Sequence, residues 1–167
     1  MKARLLSSIV MMFVSELLRA DAELPLLKEG LLEAHTKMVM NDKTTDSVMK
    51  LCSTREIDKS MKAAGDDIRK RNRCSEVTKR VSADSYSSEM HCDRDDSVTK
   101  TMITYQGDLS SHMELHTKTR QFEIVTIIDQ RYVGSCPADM KPGEALMADG
   151  KKVNFGAQPS SQPPAKP

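Results

Sequence analysis

The chain has 167 residues, and its 25 Lys and Arg residues balance 24 Asp and Glu residues, which gives a formal net charge of +1 with neutral histidines. With positive and negative charges so nearly equal, the chain has no excess of positive charge that would attract nucleic acid or anionic lipid. We therefore expect no nucleic-acid partner. Aromatic residues make up only 4%, there is no Trp, and there are 12 Met residues. We therefore expect a soft core of Leu, Ile, Val and Met, with disulfides helping to hold it together.

The N-terminus has the layout of a secretory signal peptide. Two basic residues precede an apolar run at residues 5–14, and a small-residue pattern follows at residues 20–22. The alternative is an amphipathic first helix, because two charged residues interrupt the segment after the run. We predict a signal peptide over residues 1–22, a periplasmic (exported) protein, and no stable membrane span after cleavage.

The remaining chain predicts one domain and a tail. Residues 23–154 are long enough for a single β-rich domain with its own core. Residues 155–167 contain four prolines and no apolar periodicity, so they cannot bury enough surface to offset their ordering entropy. We interpret them as a flexible Pro-rich tail.

The domain begins with a predicted hairpin. Residues 31–40 alternate between apolar and polar, as expected of a half-buried strand, and a second strand runs from about residue 44 to 52 after an Asn-Asp turn. Alternation places Leu32, Ala34, Met38 and Met40 on one side as core residues, and Glu33, His35 and Lys37 on the other.

A short helix is predicted next. Ser53 and Glu56 fit a capping box, Ile57, Met61 and Ala64 follow at helical spacing, and Gly65 ends the helix. The basic cluster at residues 69–73 is interpreted as a solvated linker.

Five further strand candidates are separated by polar turns. The last contains an IVTII core that is apolar on both faces, which predicts a central strand covered on both sides. The fold class is therefore mainly β: an antiparallel β-meander that forms a curved sheet or partly closed barrel with one short α-helix, stapled by disulfides. The candidates are residues 74–81, 86–92, 97–106, 109–119 and 122–133.

The cysteines predict two disulfides. Cys74 and Cys92 lie symmetrically about the turn near Ala83, so an antiparallel hairpin brings them face to face, unless a bulge shifts the register by one. That pairing leaves Cys52 to bond with Cys136. A zinc site is the rival interpretation, but no two cysteines lie close in sequence as structural zinc sites require.

These landmarks resemble a known family of small exported bacterial proteins of unknown function, DUF3617. The resemblance covers roughly residues 25–154 and includes KEGLLE at residues 28–33, the cysteine positions, and RYVGSCPADMKPGEALMADGKK at residues 131–152. It implies a periplasmic, single-domain β protein with no assigned activity and no catalytic residue to carry over.

One cluster offers metal-binding chemistry. Alternation along the predicted strand puts His112, Glu114 and His116 on one face, although His112 and His116 would be about 13 Å apart at about 3.3 Å per residue. Glu114 with one histidine and a third ligand such as His35 or His91 would suit Zn or Cu. The alternative is an ordinary solvent-exposed face.

The sequence contains none of the GxSxG, GxxxxGK[ST] or HExxH motifs, so we expect a protein that is not an enzyme and has no cofactor. The preferred function is a non-enzymatic binding or structural module whose partner is an apolar ligand or an envelope protein, held on the concave side of the sheet. The alternative is a periplasmic transition-metal protein using His112, Glu114 and His116. An unrecognised hydrolase or isomerase is a third hypothesis.

Overall fold

The structure is a computed structural model that describes residues 22–155; the predicted signal peptide up to residue 21 and the tail from residue 156 lie outside the described residues. It contains nine strands and one helix. Their bounds are β1 Gly30–Met40, β2 Lys43–Ser53, α1 Arg55–Arg71, β3 Cys74–Arg80, β4 Ser85–Cys92, β5 Ser97–Gln106, β6 Ser110–Lys118, β7 Glu123–Gly134, β8 Glu144–Met147 and β9 Lys152–Asn154.

The strands form one antiparallel sheet that does not close into a barrel. Its order is β3-β4-β5-β6-β7-β1-β2-β8-β9, so the expected meander runs from β3 to β7 and the first hairpin then adds beside β7. The pairing of β1 with β7 joins the first strand of the described chain to the last strand of the meander. Fold class and antiparallel pairing are therefore confirmed, with an open sheet rather than a partly closed barrel.

The strand register defines two faces. Leu32, Ala34, Thr36, Met38 and Met40 of β1, with the residues directly opposite them on successive strands, form what we call the apolar face. The histidine face consists of the intervening residues, which include His35 on β1, His112 and His116 on β6, and His91 on β4. This division of β1 is as the alternation predicts.

Burial is uneven along the apolar face. Leu32 and Leu51 are 7% exposed, Tyr86 is 6% and Ile103 is 5%, whereas Met40 at the other end of β1 is 39% exposed. We call the end where β1 begins and β2 ends the capped end, because residues 22–29 run along it. The end carrying Met40 is the open end.

The methionines do not form the predicted core. Within residues 22–155, Met140 is the one buried methionine, and Met38 and Met40 are each 39% exposed. The reason is architectural: one sheet with one helix has no second layer to cover them. The expectation that they behave as core residues is therefore wrong.

The start of the helix differs by one residue from the prediction. Thr54, not Ser53, is the N-cap, and its hydroxyl accepts a hydrogen bond from the Ile57 backbone N–H at 3.4 Å. The Ser53 hydroxyl instead donates to Asp58 Oδ1 at 2.6 Å. Both side chains therefore form hydrogen bonds within the first turn of the helix, as polar residues at a helix N-terminus commonly do.

The helix does not end at Gly65 but continues for six residues to Arg71. One ion pair bridges the predicted stop, since Lys62 lies 3.0 Å from Asp66, and a second follows it, with Arg71 3.2 Å from Asp67. The basic cluster therefore begins in the last helical turn, where positive charge favours the helix dipole, and is not wholly a linker.

The fifth strand candidate, β7, is central in the sheet as predicted. Residues 124–128 are all half-buried, however, so the strand is not covered on both sides. Two short strands, β8 and β9, extend the sheet beyond β2 and are not in the prediction. Their segments are too short for a periodic signal.

Both predicted disulfides form. Cys74 lies directly opposite Cys92 in the β3–β4 register, with no bulge between them, and their Cα atoms are 3.9 Å apart. Cys52 bonds to Cys136 with a Cα–Cα distance of 5.4 Å. This second bridge holds the segment after β7 against the end of β2.

Candidate functional site

The centre of the apolar face is free of charge. Along β5, β6, β7 and β1 the residues of this face are aliphatic, hydroxylic, thioether, amide or phenolic, and none is ionised at neutral pH. Charged side chains appear only toward its margins, at Lys43 on β2 and at Glu76 and Arg80 on β3. A surface of this composition suits an uncharged, apolar ligand.

Methionine dominates the apolar side chains of this face. Six of the methionines within residues 22–155 lie on its strands, and each of them is half-buried or exposed. Unbranched thioether side chains adapt to ligands of different shape, as at other promiscuous binding surfaces. The six are Met38, Met40, Met49, Met90, Met113 and Met147.

Helix α1 crosses the sheet on the side of the apolar face. It begins at the capped end of β2 and leads into β3 at the open end, where Arg69 Nε lies 3.6 Å from Glu76 Oε2. At its start, Arg55 Nη1 donates to the Leu27 carbonyl at 2.9 Å. The two ends of the helix are thus fastened to the sheet and to the N-terminal segment.

The helix covers the face only in part: none of its own residues is buried, and Met38 and Met40 on the face are each 39% exposed. Its apolar residues Ile57, Met61, Ala64 and Ile68 form one stripe, in which Met61 is 43% and Ile68 is 51% exposed. An amphipathic helix normally buries such a stripe. Within the described residues, the helix stripe and the part of the face that carries Met38 and Met40 are therefore both exposed apolar surface.

Aromatic side chains close the capped end. Tyr86 and Tyr105 meet edge to face with ring centroids 5.9 Å apart, and burial raises the pKa of the Tyr105 hydroxyl, which stays neutral. Lys28 Nζ lies 4.7 Å from the centroid of the Tyr132 ring, and its backbone N–H donates to Asp108 at 2.7 Å. These side chains would therefore limit how far a ligand on the apolar face could extend toward the capped end.

The histidine face carries histidine–carboxylate pairs. His112 Nδ1 lies 2.7 Å from Asp129 and Nε2 lies 3.2 Å from Glu114, and these hydrogen bonds raise the pKa of His112. A similar pair joins His91 to Glu89 at 2.8 Å. His116 lies on the same face.

The predicted metal site is not favoured. Within residues 22–155 no group of three or more His, Cys, Asp or Glu side chains is placed to hold a metal ion. His112 and Glu114 do come together, but both ring nitrogens of His112 face carboxylates on neighbouring positions. His116 does not join them.

Two open grooves indent the histidine face, with volumes of about 600 and 420 Å³. Their ionised side chains largely pair with each other; Glu89, for example, is bonded to His91 and lies 3.9 Å from Lys100. Paired charges attract a charged ligand only weakly, and the centre of the apolar face carries no ionised side chain at all. We therefore take the apolar face as the candidate site.

A charge network centred on Glu33 fixes the strands behind this site. Arg131 on β7 donates to Glu33 Oε1 from Nε at 3.0 Å and from Nη2 at 2.5 Å, and Lys50 on β2 lies 3.5 Å from Oε2. His35 also bonds to this carboxylate. The Arg131 hydrogen bonds, with that of His35, lower the pKa of Glu33 to about 2.

This network predicts an acid dependence of stability. Because the pKa of Glu33 is lowered in the fold, its stabilisation is present above about pH 4.5 and is lost as the pH falls toward about 2. In Glu33→Gln we expect a lower melting temperature at pH 7 and a shallower loss of stability across that window. Thermal melts at pH 7, 4 and 2.5 would measure both, with the exposed Glu123→Gln as control. Parallel profiles for the two variants would contradict the network's role.

Sequence reasoning did not find this network or the uncovered helix. Glu33 and Arg131 are separated by 98 residues and meet only through the β1–β7 pairing, for which no local pattern exists. The alternation of β1 does place Met38 and Met40 on the face opposite His35, as predicted. What it cannot predict is that no second layer covers them.

Comparison with known proteins gives one match. The family model described as "Protein of unknown function (DUF3617)" matches residues 27–136. No curated protein and no solved structure matches. Within residues 22–155, no helix has the length and apolar character needed to cross a membrane.

Proposed function

The chain belongs to the DUF3617 family, whose function is unknown, and we propose from its geometry that it is a non-enzymatic, exported protein that binds a single acyl chain on its apolar face. In this proposal the protein works in the periplasm, and the two disulfides hold the scaffold in an oxidising compartment. No catalytic step is required of it.

One observation carries the proposal: an apolar, methionine-rich sheet face is crossed by a helix of which no residue is buried. Monomeric soluble proteins rarely leave contiguous apolar surface uncovered unless it binds something. The helix, fastened at both ends, would act as the outer wall of a site whose inner wall is the sheet.

The dimensions and charge of the face favour an acyl chain over a compact ligand. From Leu32 to Met40 the face runs about 26 Å at about 3.3 Å per residue. One acyl chain spans about 15 Å, half the thickness of a bilayer's hydrocarbon core. The uncharged centre would accept such a chain, and the open end at Met38 and Met40 would admit it.

A charge placed on the apolar face should abolish this binding. In Met38→Glu, the carboxylate would have to be desolvated beside the chain, so we expect affinity for a fluorescent fatty acid to fall by about tenfold or more. Because Met38 is 39% exposed, the fold should survive the change. Fluorescence titration with dansyl-undecanoic acid measures the affinity.

The matched control is Val39→Glu, which puts the same charge on the neighbouring residue of the histidine face. It should bind the probe as the unmodified protein does. Saturable binding that both variants lose equally would contradict the assignment of the face. No saturable binding by the unmodified protein would remove the proposed function.

A further inference from the structure

Methionine is the side chain through which an oxidant would act on this domain. The sequence contains no Trp, and all four cysteines are joined in disulfides, so no free thiol is left to react first. Methionine thioethers are a common target of mild oxidants, which convert them into sulfoxides. The sites of oxidation are therefore set by which methionines are exposed.

Two exposed methionines lie at the open end of the apolar face. Met38 and Met40 occupy alternate positions of β1, and each is 39% exposed. Two more lie outside the strands of this face, Met61 on the helix and Met102 on the histidine face, each 43% exposed. Met140 is 8% exposed and should react slowly. Readily oxidised thioethers therefore lie where the proposed site opens.

Oxidation at the open end would change the chemistry of the face. A thioether is apolar, whereas the sulfoxide oxygen is a polar group that accepts hydrogen bonds from water. An acyl chain lying against Met38 or Met40 would strip that oxygen of water without supplying a donor, which costs free energy. Both side chains are exposed, so we expect the fold to survive the change. The effect therefore falls on binding.

From these observations we propose that Met38 and Met40 form an oxidation switch, an inference that rests on the proposed function. The protein holds an acyl chain while both residues are thioethers and releases it when they are sulfoxides. With hydrogen peroxide as oxidant, a sulfur lone pair attacks one peroxide oxygen, so that an S–O bond forms as the O–O bond breaks. The proton of the attacked oxygen passes to the departing hydroxide, which leaves as water. Sulfur loses the two electrons that the peroxide gains, and a methionine sulfoxide reductase restores the thioether.

The test compares binding of dansyl-undecanoic acid before and after treatment with hydrogen peroxide. The affinity of the unmodified protein should fall by about tenfold or more, because a desolvated sulfoxide is left without a hydrogen-bond donor. The double variant Met38→Leu with Met40→Leu has similar volume and no sulfur at these positions, so it should keep its affinity within about twofold. Peptide mapping by mass spectrometry measures the sulfoxide at each methionine.

The control variant is Met61→Leu with Met102→Leu, which removes two similarly exposed methionines and keeps Met38 and Met40. It should lose affinity on oxidation as the unmodified protein does. In the unmodified protein, the bound probe should slow oxidation of Met38 and Met40 but not of Met102, because the probe covers only the apolar face.

Two results would overturn the switch: an affinity that stays unchanged although both residues are sulfoxides, or an equal loss in Met38→Leu with Met40→Leu. In either case the untreated protein still binds the probe, so the proposed function stands. An untreated protein that binds no probe would overturn both the switch and the proposed function.

Discussion

Removal of the Cys52–Cys136 disulfide should cost the protein more stability than removal of Cys74–Cys92. The first bridge spans 84 residues and the second 18, so loop-closure entropy predicts losses of about 4.5 and about 3 kcal/mol in the free energy of unfolding. The long bridge also anchors a folded loop: Gly143 N–H donates to Cys52 at 2.8 Å, and Met140 in that loop is 8% exposed.

Urea unfolding of two double variants measures the difference. Cys52→Ala with Cys136→Ala removes one bridge, and Cys74→Ala with Cys92→Ala is the matched control that removes the other without leaving a free thiol. Equal losses, or a larger loss for the short bridge, would contradict the view that the long bridge, which holds the segment after β7 against the end of β2, contributes more to stability.

The second large effect is expected at Gly30, where β1 begins beside β7. Gly30 has φ +137°, and a Cβ atom there would lie 2.5 Å from the Gly134 carbonyl oxygen and 2.7 Å from Tyr132 Cε2. Gly30→Ala combines a backbone conformation open essentially to glycine with a clash against backbone. We expect it to lower the free energy of unfolding by about 3 kcal/mol or more.

Gly107→Ala is the control for this substitution. Gly107 also has positive φ, +60°, but nothing lies within 4 Å of an added Cβ atom. It should lose about 1–2 kcal/mol from backbone strain alone. Urea unfolding of both variants separates the two causes, and similar losses would show that the close approach of β1 to β7 contributes nothing.

Local chemistry made much of the fold predictable from sequence. The alternation of β1 and the polar turns between β3 and β7 place those strands within two residues of their observed bounds. The symmetry of Cys74 and Cys92 about their turn predicts the disulfide because hairpin register is itself local.

Long-range features were not predictable. The addition of β1 beside β7 depends on contacts across about a hundred residues. The helix passes Gly65 despite the low helix propensity of glycine, and ion pairs at Asp66 and Asp67 lie in the turns around it. The exposure of Met38 and Met40 follows from the absence of a second layer over the described sheet. Apolar periodicity reports which residues share a face and not whether that face is covered.

The central claim is that the apolar face holds an acyl chain in the exported protein, and native mass spectrometry of the protein purified gently from the periplasm tests it most directly. The account predicts a chain that begins at Glu23, lacks the four hydrogens of two disulfides, and carries an adduct of the mass of a fatty acid that mild activation releases. A bare chain of the same oxidised mass, with no adduct and none formed on addition of fatty acid, would contradict it.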